Sequence, residues 1–390
     1  MVLVYNLFKE LKQMTEQEKE PDEILVAESV GKGHPDKICD QIADTILDAC
    51  LTQDKNSRVA CEVMASNRLI VVGGEISTTA NYNVEDCVWK VLIPLGYHKG
   101  DFTIIDNIHQ QSPDISKKVN KTDGTFGAGD QGITYGYATN ETKNYLPIAY
   151  DIANELLRQL DNARTNAHIP FLSADMKSQV ELYKVGNFYN VKRIILAVQH
   201  DVFPTLTDKE QWRNIIQSLV HKVLGMYSLE CGDNQIFINA GGDFIIGGPI
   251  GDTGLTGRKL QVDTYGPEAR HGGGALSGKD YTKVDRSGAY LARWIAKNVV
   301  YNKLAKKCEI GLAWEIGNPC PDELMIDCFG TNTMPIKEIR RLIMKNFFGL
   351  NINYVVNMLS LDKPIYAPTS VYGHFSNPKF AWEKVFVFNK

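Results

Sequence analysis

Between Gly241 and Lys279 the chain holds 12 of its 32 glycines in 39 residues, where average usage of roughly 7% would put about three. Glycine lets backbone N–H groups approach a ligand because no Cβ stands in the way. The stretch also carries Arg258-Lys259 and ends in GGGALSGKD, Gly272 to Asp280. Glycine amides beside lysine and arginine form an anion cradle, and a polyphosphate is the anion they suit best. A second place for chemistry is Glu28-Ser-Val-Gly-Lys-Gly-His34-Pro-Asp36. It follows a short apolar strand, Ile24 to Ala27, and Pro35 suits the first turn of a helix. His34 and Asp36 thus stand at a strand-to-helix junction, where functional side chains are commonly presented.

Two familiar patterns fail on their context. Gly127 to Gly132 reads GAGDQG and matches GxGxxG, but a dinucleotide site needs an apolar strand before it and a helix after it. Here Asn120 to Phe126 is polar, and Ile133-Thr-Tyr-Gly-Tyr-Ala alternates like a strand. A glycine turn between two strands is the simple alternative. Gly273 to Lys279 spells GxxxxGK, yet Asp280 stands where a P-loop needs Ser or Thr. Eight scattered cysteines contain no CxxC pair, and no HExxH occurs, which argues against a thiolate zinc site or a zincin.

The elements that must position these residues alternate irregularly, which favours α+β layers over a doubly wound parallel sheet. In the helix from Pro35, Ile38, Ile42, Ile46 and Ala49 make a core stripe, and Asp40, Asp44 and Asp48 read as its solvated face. Strands are expected at Arg58 to Met64, Leu69 to Ile76, Phe102 to Ile108, Gln179 to Tyr183, Arg193 to Gln199 and Gln235 to Ile246. Helices are expected at Val84 to Ile93, Ile148 to Asn162, Lys209 to Val223 and Val284 to Leu304, the last with Asp285 in its first turn. The polar stretch from Gln110 to Phe126 fits a linker or a mobile lid. Residues 1–23 read as an appendage.

Bulk properties set the frame. A net charge of −4 and a pI near 6.1 give no reason to expect nucleic acid. The longest aliphatic run, Ile194 to Val198, is too short to span a bilayer. No basic leader precedes the charged segment from Lys9 to Glu23, so the expected setting is reducing and cytoplasmic.

In chain order the candidate motifs are GHPDK (Gly33 to Lys37), GGE (Gly73 to Glu75), QSPD (Gln111 to Asp114), GAGDQG, DMKSQ (Asp175 to Gln179), GDTGLTGRK (Gly251 to Lys259), GGGALSGKD and KVDRS (Lys283 to Ser287). Together they resemble the S-adenosylmethionine synthetase, or methionine adenosyltransferase, family from about Glu23 to the C-terminus. The resemblance implies an α+β fold of three similar domains related by a pseudo-threefold axis. In chain order these are 24–121, 127–248 and 249–390, after the extension 1–23, with segments interleaving between structural domains. It implies a homodimer with active sites at the subunit interface, usually paired into a homotetramer. The implied reaction is attack of the methionine sulfur on C5′ of ATP, with release of triphosphate that is cleaved to pyrophosphate and phosphate.

Site roles follow from the same resemblance. His34, Lys177, Arg258 and Lys279 would stabilise the leaving triphosphate. Asp175, Phe244, Asp252, Lys259 and Ala275 would join them around ATP, with Phe244 on the adenine. Glu75, Gln111, Asp130, Asp252 and Lys283 would contact methionine. Asp36 and Asp285 would hold Mg2+, and Glu62 would help hold K+. Gln111 to Lys121 corresponds to the family's gating loop. His271 reads instead as a loop-packing residue. The chain departs from the pattern at Gly31-Lys32, where Ser-Glu is usual and Lys32 would add charge near the phosphates. Asp243 replaces a usual Arg, and Leu276 a usual Phe. Two other readings are a methionine-independent ATPase or triphosphatase and an inactive ATP-binding subunit. Retention of Glu75 and Gln111 opposes the first, and retention of His34, Asp36, Lys279 and Asp285 opposes the second.

Overall fold

The computed structural model describes residues 21–110 and 125–389. Most of the N-terminal appendage lies outside the described residues, as do Gln111 and the rest of the expected lid, 111–121.

Three sheets carry the fold. The first orders β1 (Glu23–Val30), β6 (Leu172–Val185), β7 (Phe188–His200) and the short β8 (Ile236–Ile238). The second orders β4 (Thr103–His109), β3 (Leu69–Ser77), β2 (Arg58–Ser66) and β9 (Gly254–Leu255). The third orders β11 (Glu323–Asp327), β10 (Lys307–Trp314) and β5 (Gly132–Thr139). Most pairings are antiparallel; β3 with β4 and β7 with β8 are parallel. Each sheet takes strands from distant parts of the chain, as where β1 joins β6 and β5 joins β10.

One long helix packs on each sheet. Helix α1 (Pro35–Gln53) lies on β2, α3 (Ile148–Thr165) on β1 and β6, and α7 (Val284–Tyr301) on β5 and β10. A further long helix, α4 (Leu206–Gly225), packs on α3, and shorter ones fill in: α2 (Val84–Leu92), α5 (Gly248–Gly251), α6 (Leu260–Asp263), α8 (Ile336–Asn346) and α9 (Ile352–Leu359). Helix α1 starts at Pro35 as its sequence dictates, with His34 as N-cap. Its isoleucines Ile38, Ile42 and Ile46 are fully buried.

The expected solvated face of α1 is a correction. Asp40 and Asp44 are 0% exposed. Asp40 pairs with buried Lys37 (2.8 Å), which also reaches Asp263 at the end of α6 (2.5 Å). Asp44 takes both guanidinium nitrogens of Arg286 from α7 (2.7 and 2.8 Å). Asp48 accepts from the Tyr366 and Ala367 amides. Three helical faces meet at α1, so the side that a lone amphipathic helix would give to water meets cations and amides instead. Burial of unpaired charge costs several kcal/mol per ion (roughly), which is why each carboxylate has a bound partner.

The expected strand Gln235 to Ile246 is also shorter than its composition suggests: only Ile236–Ile238 pairs with β7. Beyond it the Asn239 side chain takes over the ladder, with Oδ1 accepting from Val198 N (2.7 Å), and the glycines of 241–242 turn the chain into a loop. Among the described residues no helix is long and apolar enough to cross a membrane.

Candidate functional site

The sequence-derived residues gather in two groups. The first surrounds the β1–α1 junction. His34 is 2% exposed, and its Nδ1 accepts from Asp36 N (3.2 Å). Its pKa falls to about 3, first because burial disfavours the imidazolium and then because Lys259 and Lys177 repel it, with Asp36 and Asp252 opposing. The ring is therefore neutral, and with Nδ1 accepting, Nε2 carries the proton. Asp36 Oδ1 accepts from Leu255 N (2.9 Å), while Oδ2 holds Lys259 Nζ at 2.6 Å. Burial pushes this carboxyl up, but Lys259 and the Leu255 amide outweigh it, and the net shift is downward. Arg258 Nε stands 4.0 Å from Asp36.

Asp175 and Lys177 enter from β6. Asp175 is 5% exposed; its Oδ2 accepts from Gly248 N (2.8 Å), and its Oδ1 is buried without a partner. Burial raises its pKa to about 6. The loop after β8 brings Phe244 to the same region. Phe244 N donates to His200 Nε2 (3.2 Å) and its carbonyl accepts from His200 N (2.9 Å). Gln199 holds the loop from below, its Nε2 donating to Ile245 O (3.0 Å). Neither Gln199 nor His200 was singled out in the sequence, because their partners lie over 40 positions away. Asp243 turns to Lys209 (2.5 Å), leaving Phe244 half-buried beside it.

Lys32 does not add charge to this group. Its Nζ pairs with Asp161 at 2.8 Å, in a cavity on the other side of the loop.

The second group is built on α7 and the glycine-rich loop. Lys279 forms an isolated bridge with Ala60 of β2, and its Nζ meets Asp285 at 2.6 Å. A Cβ at Gly274 would stand 2.1 Å from Asp285 Oδ1, so a larger residue there would displace the Asp285 carboxylate. Lys283 pairs with the buried Asp280 (2.5 Å). Gly129 N donates to Thr282 O (2.9 Å), which brings the exposed Asp130 to the Lys283 side. Glu75, paired across the strands with Ala60, lies 3.3 Å from His109. Glu62, between them on β2, is raised by desolvation, with Lys279 opposing. His271 Nδ1 accepts from Gly273 N (2.8 Å), a loop-packing contact as its context suggested. Ala275 touches the first group at Gly257, where an added Cβ would stand 2.4 Å away.

Both groups hang on one edge of β2. Leu255 pairs with Met64 and Lys279 with Ala60, so four residues, or roughly 13 Å of strand, separate their backbones. Ion pairs stay inside each group. Among the described residues no three His, Cys, Asp or Glu side chains converge as a metal cluster.

Comparison with known proteins covers nearly the whole described chain. Residues 22–113 match the S-adenosylmethionine synthetase N-terminal domain, 125–244 the central domain and 246–384 the C-terminal domain. The S-adenosylmethionine synthase of Mycoplasmopsis pulmonis is 48% identical over 366 residues, 93% of this chain and 96% of that protein. That of Treponema denticola is 44% identical over 92% of this chain and 95% of its own. That of Mycoplasma genitalium is 44% identical over 92% and 93%.

Proposed function

This chain belongs to the S-adenosylmethionine synthetase family, and from that premise we propose how its two groups of residues divide the family's reaction. The enzyme makes S-adenosylmethionine from ATP and methionine. The sulfur lone pair forms the bond to C5′ while the C5′–O5′ bond breaks, and its electron pair leaves with the triphosphate. A neutral thioether has no proton to lose, so no general base is needed. Charge grows on the leaving oxygens, and fixed donors there lower the barrier. His34 Nε2–H donates toward O5′, with Lys177, Arg258 and Lys259 along the phosphates. Lys279, with its glycine amides, covers the far end, where water attacks the triphosphate and the P–O bond it breaks leaves pyrophosphate and phosphate.

The unpartnered Asp175 Oδ1 suits a nucleoside donor group, and Phe244 offers a face for adenine. Glu75, Asp130, Asp252 and Lys283 take the polar ends of methionine; Gln111, outside the described residues, joins them in the same proposal. Asp36 and Asp285 would hold Mg2+, and Glu62 would help hold K+. Carboxylate oxygens are the right donors for hard cations, and magnesium needs few of them when phosphates complete its shell. When bound, these ions supply charge compensation to the phosphates.

The observation that carries this reading is the buried His34 in one group with three cations, Lys177, Arg258 and Lys259, around Asp36. The division into two groups supports a homodimer in which each site combines one group from each copy, and pairs of dimers give the homotetramer. The same sheet supports it: Met64, Ile105 and Leu255 are 38%, 45% and 36% exposed in one cross-strand row with Val71. A cytoplasmic setting accords with eight free thiols.

The deciding experiment incubates purified protein with ATP, methionine, magnesium and potassium and follows three products. Equal amounts of S-adenosylmethionine, pyrophosphate and phosphate are expected. Phosphate release indifferent to methionine would replace this reading with a triphosphatase.

A further inference from the structure

Behind the His34 loop lies a cavity of about 700 Å³, walled by α1, α2, α3 and the segment 367–380. Its size is that of a small-molecule site. None of the reaction residues named above lines it.

Four cations do: Lys32, Lys90, Arg158 and Arg164. Two carboxylates answer them. Buried Asp161 takes both Lys32 (2.8 Å) and Arg164 (2.9 Å), and Glu155 pairs with Arg158. Lys90 makes no ion pair among the described residues. Counting Asp161 in the wall and Glu155 behind Arg158, four positive charges less two negative leave a net +2 around a half-open cavity. Tyr372 sits between two of the cations, its ring centroid 5.8 Å from Lys32 Nζ and 5.7 Å from the Arg158 guanidinium carbon. It holds φ of 59°, a left-handed conformation costly for a tyrosine, so the surrounding packing fixes it in place. Val91, Leu95 and Phe380 add apolar wall.

We propose that this cavity is a second ligand site for a small phosphorylated molecule of nucleotide size, its phosphate among Lys32, Lys90, Arg158 and Arg164 and its body against the apolar wall. Charged donors converging from two helices, α2 and α3, and from the loop before α1 are the chemistry that recognises a phosphate dianion. Occupancy reaches the reaction site through the backbone. Lys32 lies two positions before His34, and Gln41, which also lines the cavity, donates to Lys32 O (2.8 Å) and Lys37 O (2.9 Å). A phosphate competing with Asp161 for Lys32 therefore acts on the segment that orients His34.

The test titrates uridine 5′-monophosphate into the full-length protein by calorimetry, with S-adenosylmethionine and pyrophosphate filling the reaction site. One molecule per chain is expected. Affinity should fall about tenfold or more in Lys90→Glu and in Arg164→Gln, the loss of one charged phosphate contact, and hold in Lys177→Ala. Lys90 is exposed, so its variant keeps the fold and the basal turnover. The nucleotide should also shift KM for ATP in the native protein and leave it unchanged in Lys90→Glu. No heat with uridine 5′-monophosphate or with inorganic phosphate overturns the site, as does binding indifferent to Lys90→Glu. Binding that leaves KM for ATP untouched overturns the link to His34. Because binding is read without turnover, its failure is distinct from failure of the reaction assigned above.

Discussion

Lys279 is the residue whose chemistry is most exposed to test. It lies in the glycine loop, its ammonium held 2.6 Å from Asp285, where a triphosphate would replace that contact. Lys279→Ala is expected to lower turnover by about 10²–10³-fold, the usual effect of losing one transition-state donor; steady-state kinetics on a variant with native circular dichroism would decide it, and unchanged turnover would remove the role. Asp36→Asn should move the magnesium titration of activity to higher concentration by about tenfold or more, by analogy with lesser changes around metal ligands. An unaltered titration would count against Asp36 as a ligand. Asp175 yields a pH prediction. Burial raises it from 3.8 to about 6, so the folded state binds its proton more tightly than the unfolded chain does. Its contribution is neutral below about pH 4 and becomes destabilising as pH rises through about 6. Asp175→Asn should therefore flatten the decline in melting temperature of the ligand-free protein across that window; parallel curves for both proteins would contradict the assignment.

At the scale of elements, the junction of α1 and α7 depends on Asp44 and Arg286, both buried and doubly hydrogen-bonded. Removing one partner leaves the other charge stranded, at a cost of about 3–5 kcal/mol. Asp44→Leu and Arg286→Met should each lower the urea midpoint sharply, and the double variant should recover much of the loss. Additive losses would mean that the pair does not act as a unit. Periodicity located α1 to the residue at its start, because Pro35 and the isoleucine stripe are local signals. It assigned the aspartates to solvent, because a helix's sequence says which side is polar and not what that side meets. Likewise the shortened β8 follows from Asn239 satisfying Val198 N, a partner 41 positions away.

For the whole molecule, two half-equipped groups about 13 Å apart along β2 predict sharing between copies. Mixing denatured and refolded Lys259→Ala with Lys279→Ala chains should restore activity to about a quarter of native, since half the dimers are mixed and each mixed dimer rebuilds one of two sites. No recovery, with mixed dimers present, would place both groups in one chain's site. A Met64→Lys variant should weaken the dimer on sedimentation and lose activity with it.

The chain's own sequence determined the chemistry: which residues could meet a polyphosphate, the starts of the helices that present them, and the family through eight ordered motifs. These are local signals, set by glycine, proline and charge at short spacing. Tertiary structure alone decided that Asp40 and Asp44 are internal ties, that Lys32 serves Asp161 instead of the phosphates, that His200 and Gln199 hold the Phe244 loop, and that Asp36 and Asp285 stand in separate groups. Each of those outcomes depends on a partner tens to hundreds of positions away, and the energy of a buried charge is fixed by that partner, not by its neighbours along the chain.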